Sequence, residues 1–81
     1  MARIRATTRD LNTLVTVRGH LGARDMRRLE YACSPALTSP QLALTVDITR
    51  VSNLDAVADR LLQRMALRGA LIRTRDALRG D

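Results

Sequence analysis

The sequence predicts a small α/β fold: a mixed β-sheet with helices packed on one face and the element order ββαβαβ. Three observations carry this expectation. Leu42, Leu44, Val46 and Ile48 alternate with Ala43, Thr45 and Asp47, the two-residue period of a strand with one apolar face. Leu54, Val57, Leu61, Leu62 and Met65 then recur at the spacing of an amphipathic helix. Strand, helix and strand follow one another twice, which makes right-handed crossovers between parallel neighbours the expected connection.

Along the chain, residues 2–8 place Arg3 and Arg5 on one face and Ile4 and Ala6 on the other, as in an edge strand whose charges discourage unwanted pairing. Asp10-Leu11-Asn12 supplies turn residues, and Leu14-Val15-Thr16-Val17 reads as a second strand, so the two should form an antiparallel hairpin. Gly19 and Gly22 are expected to break that strand around His20. Met26, Leu29 and Cys33 share one face of a helix from Ala23 to Cys33. Pro35 lacks an amide hydrogen and should end this helix, leaving residues 34–40 as a loop. A strand over residues 41–48, a helix over about 53–67 stopped by Gly69, and a last strand over Ala70–Thr74 complete the order. Arg75–Asp81 is expected to be a short polar tail, partly helical or frayed. All of this is one domain over residues 1–81, with no internal repeat.

A chain of 81 residues buries only about two thirds of its unfolded surface, which predicts a small stability margin. With 46% hydrophobic residues but no Phe or Trp and one Tyr, the core must be built from Leu, Val, Ile, Ala and Met. Cys33 is the single cysteine; it fits a reducing cytoplasm and is expected to be a small buried hydrophobe. No N-terminal apolar run resembles a signal peptide, and no stretch nears the roughly 20 apolar residues that cross a bilayer, so a soluble protein is expected.

The net charge of +6 and the pI near 11.4 make nucleic acid, acidic proteins and anionic membranes physically reasonable partners. All 14 basic residues are Arg, spread from Arg3 to Arg79, which points to a coding bias toward arginine rather than a phosphate-binding cluster. Arg60, Arg64 and Arg68 form a stripe on the second helix. That stripe is either a phosphate contact or a solvated face, and the lack of stacking aromatics favours the second.

Chemistry-bearing residues are sparse. His20 and Cys33 are each alone, and no zinc-ligand spacing occurs. Gly19-His20-Leu21-Gly22 has too few glycines for a phosphate-cradling loop. Asp47 and Asp55 have no companion nucleophile or oxyanion donors, so neither an enzyme nor a metal or cofactor is expected. The most informative stretch is Asp47-Ile48-Thr49-Arg50-Val51-Ser52-Asn53-Leu54-Asp55, an acidic, hydroxyl-bearing junction in which the strand should end near Ile48 and the helix begin near Asn53. Ser52 and Asp55 form a pair like a capping box at that helix start.

In element order and in this junction the chain resembles the STAS domain family, the bacterial anti-sigma factor antagonists and their relatives. Members commonly carry a strand ending in Asp-Leu-Ser, then Gly-Val and a short run ending in Asp-Ser-Ser-Gly at the next helix start. Asp47-Ile48-Thr49, Val51 and Asp55 hold the corresponding places, and Gly19-His20-Leu21-Gly22 weakly matches the family's Gly-Glu-Leu-Asp. The chain departs from the pattern where Asp55-Ala56-Val57-Ala58 replaces Asp-Ser-Ser-Gly. The phosphorylated serine of typical antagonists falls at Val57, which has no hydroxyl, and the family's usual C-terminal helix is shortened or missing.

The resemblance implies a divergent, non-enzymatic protein-interaction module for transcription regulation and signalling. It would bind a regulatory protein, an anti-sigma factor or kinase, through Thr49, Asn53, Leu54, Asp55, Ala56 and Val57. Asp55 either offers an anion to a partner arginine or caps its own helix. The alternative function is a small nucleic-acid-binding protein using the arginine stripe and the first strand, and homodimerisation also stays open.

Overall fold

The chain begins with a tight hairpin: β1 (Arg3–Arg9) and β2 (Asn12–Leu21) pair antiparallel around Asp10 and Leu11, whose φ angles are 51° and 66°. Positive φ at both residues of a two-residue loop gives the twist that the flanking strands require. The structure, a computed structural model, describes residues 1–75. Apart from Arg75, the expected C-terminal tail lies outside the described residues. A 3-10 turn over Ala23–Asp25 leads into α1 (Met26–Thr38), followed by β3 (Ala43–Leu54), α2 (Ala56–Leu67) and β4 (Leu71–Arg73). The expected order ββαβαβ is therefore the observed one. The sheet runs β1-β2-β3-β4, with β2, β3 and β4 mutually parallel.

Burial alternates along the central strands. Thr13, Val15, Val17 and Leu21 of β2 and Leu44, Val46 and Ile48 of β3 are buried, while their neighbours are exposed or partly so. α1 packs on β1, β2 and β3, and α2 packs against α1 and β4. Leu29, Cys33 and Ala36 of α1 and Ala58, Leu61, Leu62 and Met65 of α2 close the core from the helix side. Cys33 is fully buried, and burial pushes its thiol up to about 11, so it stays protonated and inert.

One buried charge ties the layers together. Asp25 is 1% exposed, and its carboxylate accepts the Gly22 amide at 3.1 Å, the Ala2 amide at 3.3 Å and Arg28 Nη1 at 3.2 Å. Arg28 Nη2 also donates to the Ala2 carbonyl at 2.8 Å. Burial works to raise the Asp25 pKa, but the two amides and the Arg28 guanidinium outweigh it and hold the carboxyl below its ordinary value.

Several boundaries differ from those expected: α1 starts at Met26 after the 3-10 turn, α2 starts at Ala56, and three differences bear on the packing. β3 continues past Ile48 to Leu54 instead of giving way to a turn. Its register against β2 slips between Thr16/Arg18 and between Gly19/His20, each time inserting one extra residue into β3. Ile48, Val51 and Leu54 thereby stay against the core at a spacing of three, which in sequence imitates a helix. β2 likewise runs through Gly19, which sits at one slip with φ 88°, and ends only at Leu21.

α1 passes through Pro35 to Thr38 rather than stopping before it. Pro35 and Tyr31, whose carbonyl loses its helical partner, both lie on the exposed side, where the lost bond costs least, and the continuation buries Ala36. The Thr38 hydroxyl donates to the Ser34 carbonyl at 3.0 Å and finishes the helix.

Candidate functional site

At the C-terminal ends of β2 and β3 the two strands deliver a small polar cluster. The Asp55 amide donates to the Leu21 carbonyl at 3.1 Å, which locks the start of α2 against the end of β2. His20 is in register with Asn53, and its Nε2 lies 3.3 Å from Asp55 Oδ1. Both side chains of this pair are nearly half exposed, at 45% and 44%.

Asp55, rather than Ser52 or Asn53, is the N-cap of α2, because β3 takes the residues before it. Its backbone has the extended conformation of a cap (φ −72°, ψ 155°), and its carbonyl accepts the Asp59 amide at 2.9 Å. Its carboxylate makes no capping bond; it turns instead to His20. The first-turn amides of α2 thus have no side-chain cap, and Val57 stands 50% exposed beside them.

Gly22 is what lets this pair form. A Cβ at Gly22 would lie 2.6 Å from Asp55 Oδ2 and 2.9 Å from His20 Nε2. Gly22→Ala is expected to displace both side chain ends while changing stability by no more than about 1 kcal/mol, since φ −133° suits any residue. The His20 imidazole resonances read the displacement; unchanged shifts in the variant would refute it.

The expected contact residues divide into groups. Asn53, in the last residues of β3, and Asp55, Ala56 and Val57, just beyond it, have exposed or half-exposed side chains and are joined by His20. Leu54 is half-buried against the core. Thr49 sits within β3 and is occupied locally: its hydroxyl donates to Asp47 Oδ1 at 2.7 Å and its amide to the same oxygen at 2.9 Å. These two bonds hold the Asp47 carboxyl below the usual range against the opposing effect of burial, with Arg73 and Arg50 adding to the lowering. His20 was missed as a contact residue because a lone histidine between two glycines reads as a strand exit. The signal that could have found it is its place near the end of an apolar strand, where side chains reach the sheet edge.

The arginine stripe begins beside this surface, where Arg60 and Arg64 share a shallow groove with Val57, and runs on along α2. Arg64 and Arg68 border an open groove of about 540 Å³ between α1 and α2, with Arg27, Tyr31, Leu37 and Leu61. Among the described residues no three His, Cys, Asp or Glu side chains gather as metal ligands would, and no helix is long and apolar enough to cross a membrane.

No family model matches the chain, and no curated protein does. Among solved structures the chain is similar to one described as "Crystal Structure Analysis of Mglu", with 15% identity over 86% of this chain and a TM-score of 0.66. The chain spans only 18% of the length of that structure's chain. At this identity the likeness shows a shared fold.

Proposed function

We propose that the chain is a non-enzymatic protein-interaction module of the STAS kind that docks on a regulatory protein, an anti-sigma factor or kinase, through the end of the sheet where β3 meets α2. The observation that carries this reading is Asp55: a residue in the N-cap position whose carboxylate leaves its own helix uncapped and stands half exposed beside His20. An anion free of capping duty, next to unoccupied helix amides and an exposed Val57, suits a partner that brings an arginine and an apolar contact. Asn53 and Ala56 extend this surface, Leu54 underpins it, and Thr49 braces the strand through Asp47. With valine where typical antagonists carry the phosphorylated serine, the module acts constitutively in this reading. A reducing cytoplasmic setting agrees with the inert Cys33.

The partner is to be captured from the host at physiological salt with nuclease present, purified, and titrated against the wild-type chain and Asp55→Lys. The charge reversal should weaken binding at least about tenfold, or about 1.4 kcal/mol. The melting temperature should change little, because a half-exposed polar contact contributes at most about 1 kcal/mol. Equal affinity of the two proteins for a regulator so identified would remove the site.

A further inference from the structure

The face of the sheet turned away from the helices carries a line of charge that the protein-docking reading does not use. Arg3 of β1 stands directly opposite Arg18 of β2, and Arg18 is in register with Arg50 of β3. Two residues along β1 and β2, and three along β3 because of its extra residue, Arg5, Thr16, Asp47 and Arg73 form the next row across all four strands. Arg3, Arg5, Arg18, Arg50 and Arg73 are all exposed. Asp47 is the one carboxylate among the strand residues of this face; Thr49 holds its Oδ1, and its charge offsets part of that of Arg50 and Arg73, leaving four positive charges unbalanced among these six side chains. Among the described residues none of the five arginines is within ion-pair distance of a carboxylate.

Like charges placed directly opposite one another across strands are destabilising, so the Arg3, Arg18, Arg50 row is a conformation that bound anions relieve. Neighbouring strands are roughly 5 Å apart, so the row is a regular series of planar, two-pronged donors, the geometry that grips phosphate. We infer that this open sheet face binds the phosphate backbone of nucleic acid. The face bears no Phe, Tyr or Trp on which a base could stack, and the His20 imidazole beyond the row is held by Asp55, so the contact is sequence-blind and made through phosphates. The row adjoins the surface around Asp55 at His20 and Asn53, two pairs further in register than Arg18 and Arg50. Its three arginines make no part of that surface, so either can fail without the other.

The test measures fluorescence anisotropy with labelled single-stranded and duplex oligonucleotides of mixed sequence, titrated with the full chain at several salt concentrations. Three proteins are compared: wild type, the triple variant Arg3→Gln, Arg18→Gln, Arg50→Gln, and the helix-stripe variant Arg60→Gln, Arg64→Gln, Arg68→Gln. Thermal melts confirm that each is folded. The wild type should bind in the low-salt range, and the sheet variant should lose about tenfold or more in affinity and about three from the slope of log affinity against log salt. The helix-stripe variant should stay within a few-fold of wild type. Which oligonucleotide binds more tightly decides whether a single strand or a duplex is the natural form. Absence of wild-type binding at low salt overturns the assignment, as does equal loss in the two variants. Poly-glutamate competing at the same charge concentration as well as nucleic acid also overturns it, in favour of an acidic protein partner.

Discussion

Replacing Asp25 with alanine is expected to cost about 3 kcal/mol, because the buried amides of Gly22 and Ala2 each lose their acceptor at about 1–3 kcal/mol, while the nearly half-exposed Arg28 side chain turns to solvent. A domain of 81 residues has a total stability of only about 4–12 kcal/mol at typical values per residue. The melting temperature should therefore fall by about 12 °C or more. The size of the effect follows from how much converges on one carboxylate: the amides of Gly22 and Ala2 and the Arg28 guanidinium, linking the start of β1, the exit of β2 and the first turn of α1.

The same residue sets part of the pH dependence. Its folded pKa lies below the unfolded value of about 3.9. The unfolded chain therefore takes up the proton first as pH falls. The stabilisation is complete above the unfolded pKa and is lost as pH drops through the lowered folded one. Asp47 acts in the same direction. Thermal melts of wild type and Asp25→Ala between pH 7 and pH 3 should converge toward the acid end. Parallel curves, with a constant gap between them, would refute this account.

Leu21→Ala should produce the second large loss, about 3 kcal/mol within the range for buried leucine truncations. Leu21 is fully buried, and its carbonyl receives the Asp55 amide at 3.1 Å. A cavity beneath this junction loosens the anchor of α2, so the variant should also lose hydrogen-exchange protection at the Asp55 amide before the amides at the centre of β2. A variant destabilised to the expected degree but still fully protected at Asp55 would show that the junction is held by other contacts.

How much of the site could be read in advance depends on which interactions are local. The alternation from Leu44 to Ile48 and the recurrence of Leu61, Leu62 and Met65 follow from periods that each element imposes on its own residues, whereas Leu54, expected on the helix, belongs to β3 and Val57 is half exposed. The element order and the apolar faces were therefore legible. The junction between them was not. Val51 and Leu54 reach the core only because two extra residues are absorbed against β2, and that accommodation depends on Gly19 and His20, more than thirty positions away. The cap assignment failed with it: Ser52 followed by Asp55 looks like a capping box, but Ser52 belongs to β3 and Asp55 takes the cap position.

The sequence by itself determined the α/β class, the order of elements, the aliphatic core and the burial of Cys33, because hydrophobic periodicity is a property of each segment alone. Tertiary structure decided where β3 ends, that α1 survives Pro35, that Asp55 faces His20 rather than its own helix, and that Arg3, Arg18 and Arg50 stand in one row. Each of these depends on strand register or helix docking between distant segments. Such pairings are selected by the free energy of the whole packed sheet, to which no single stretch of chain holds the key.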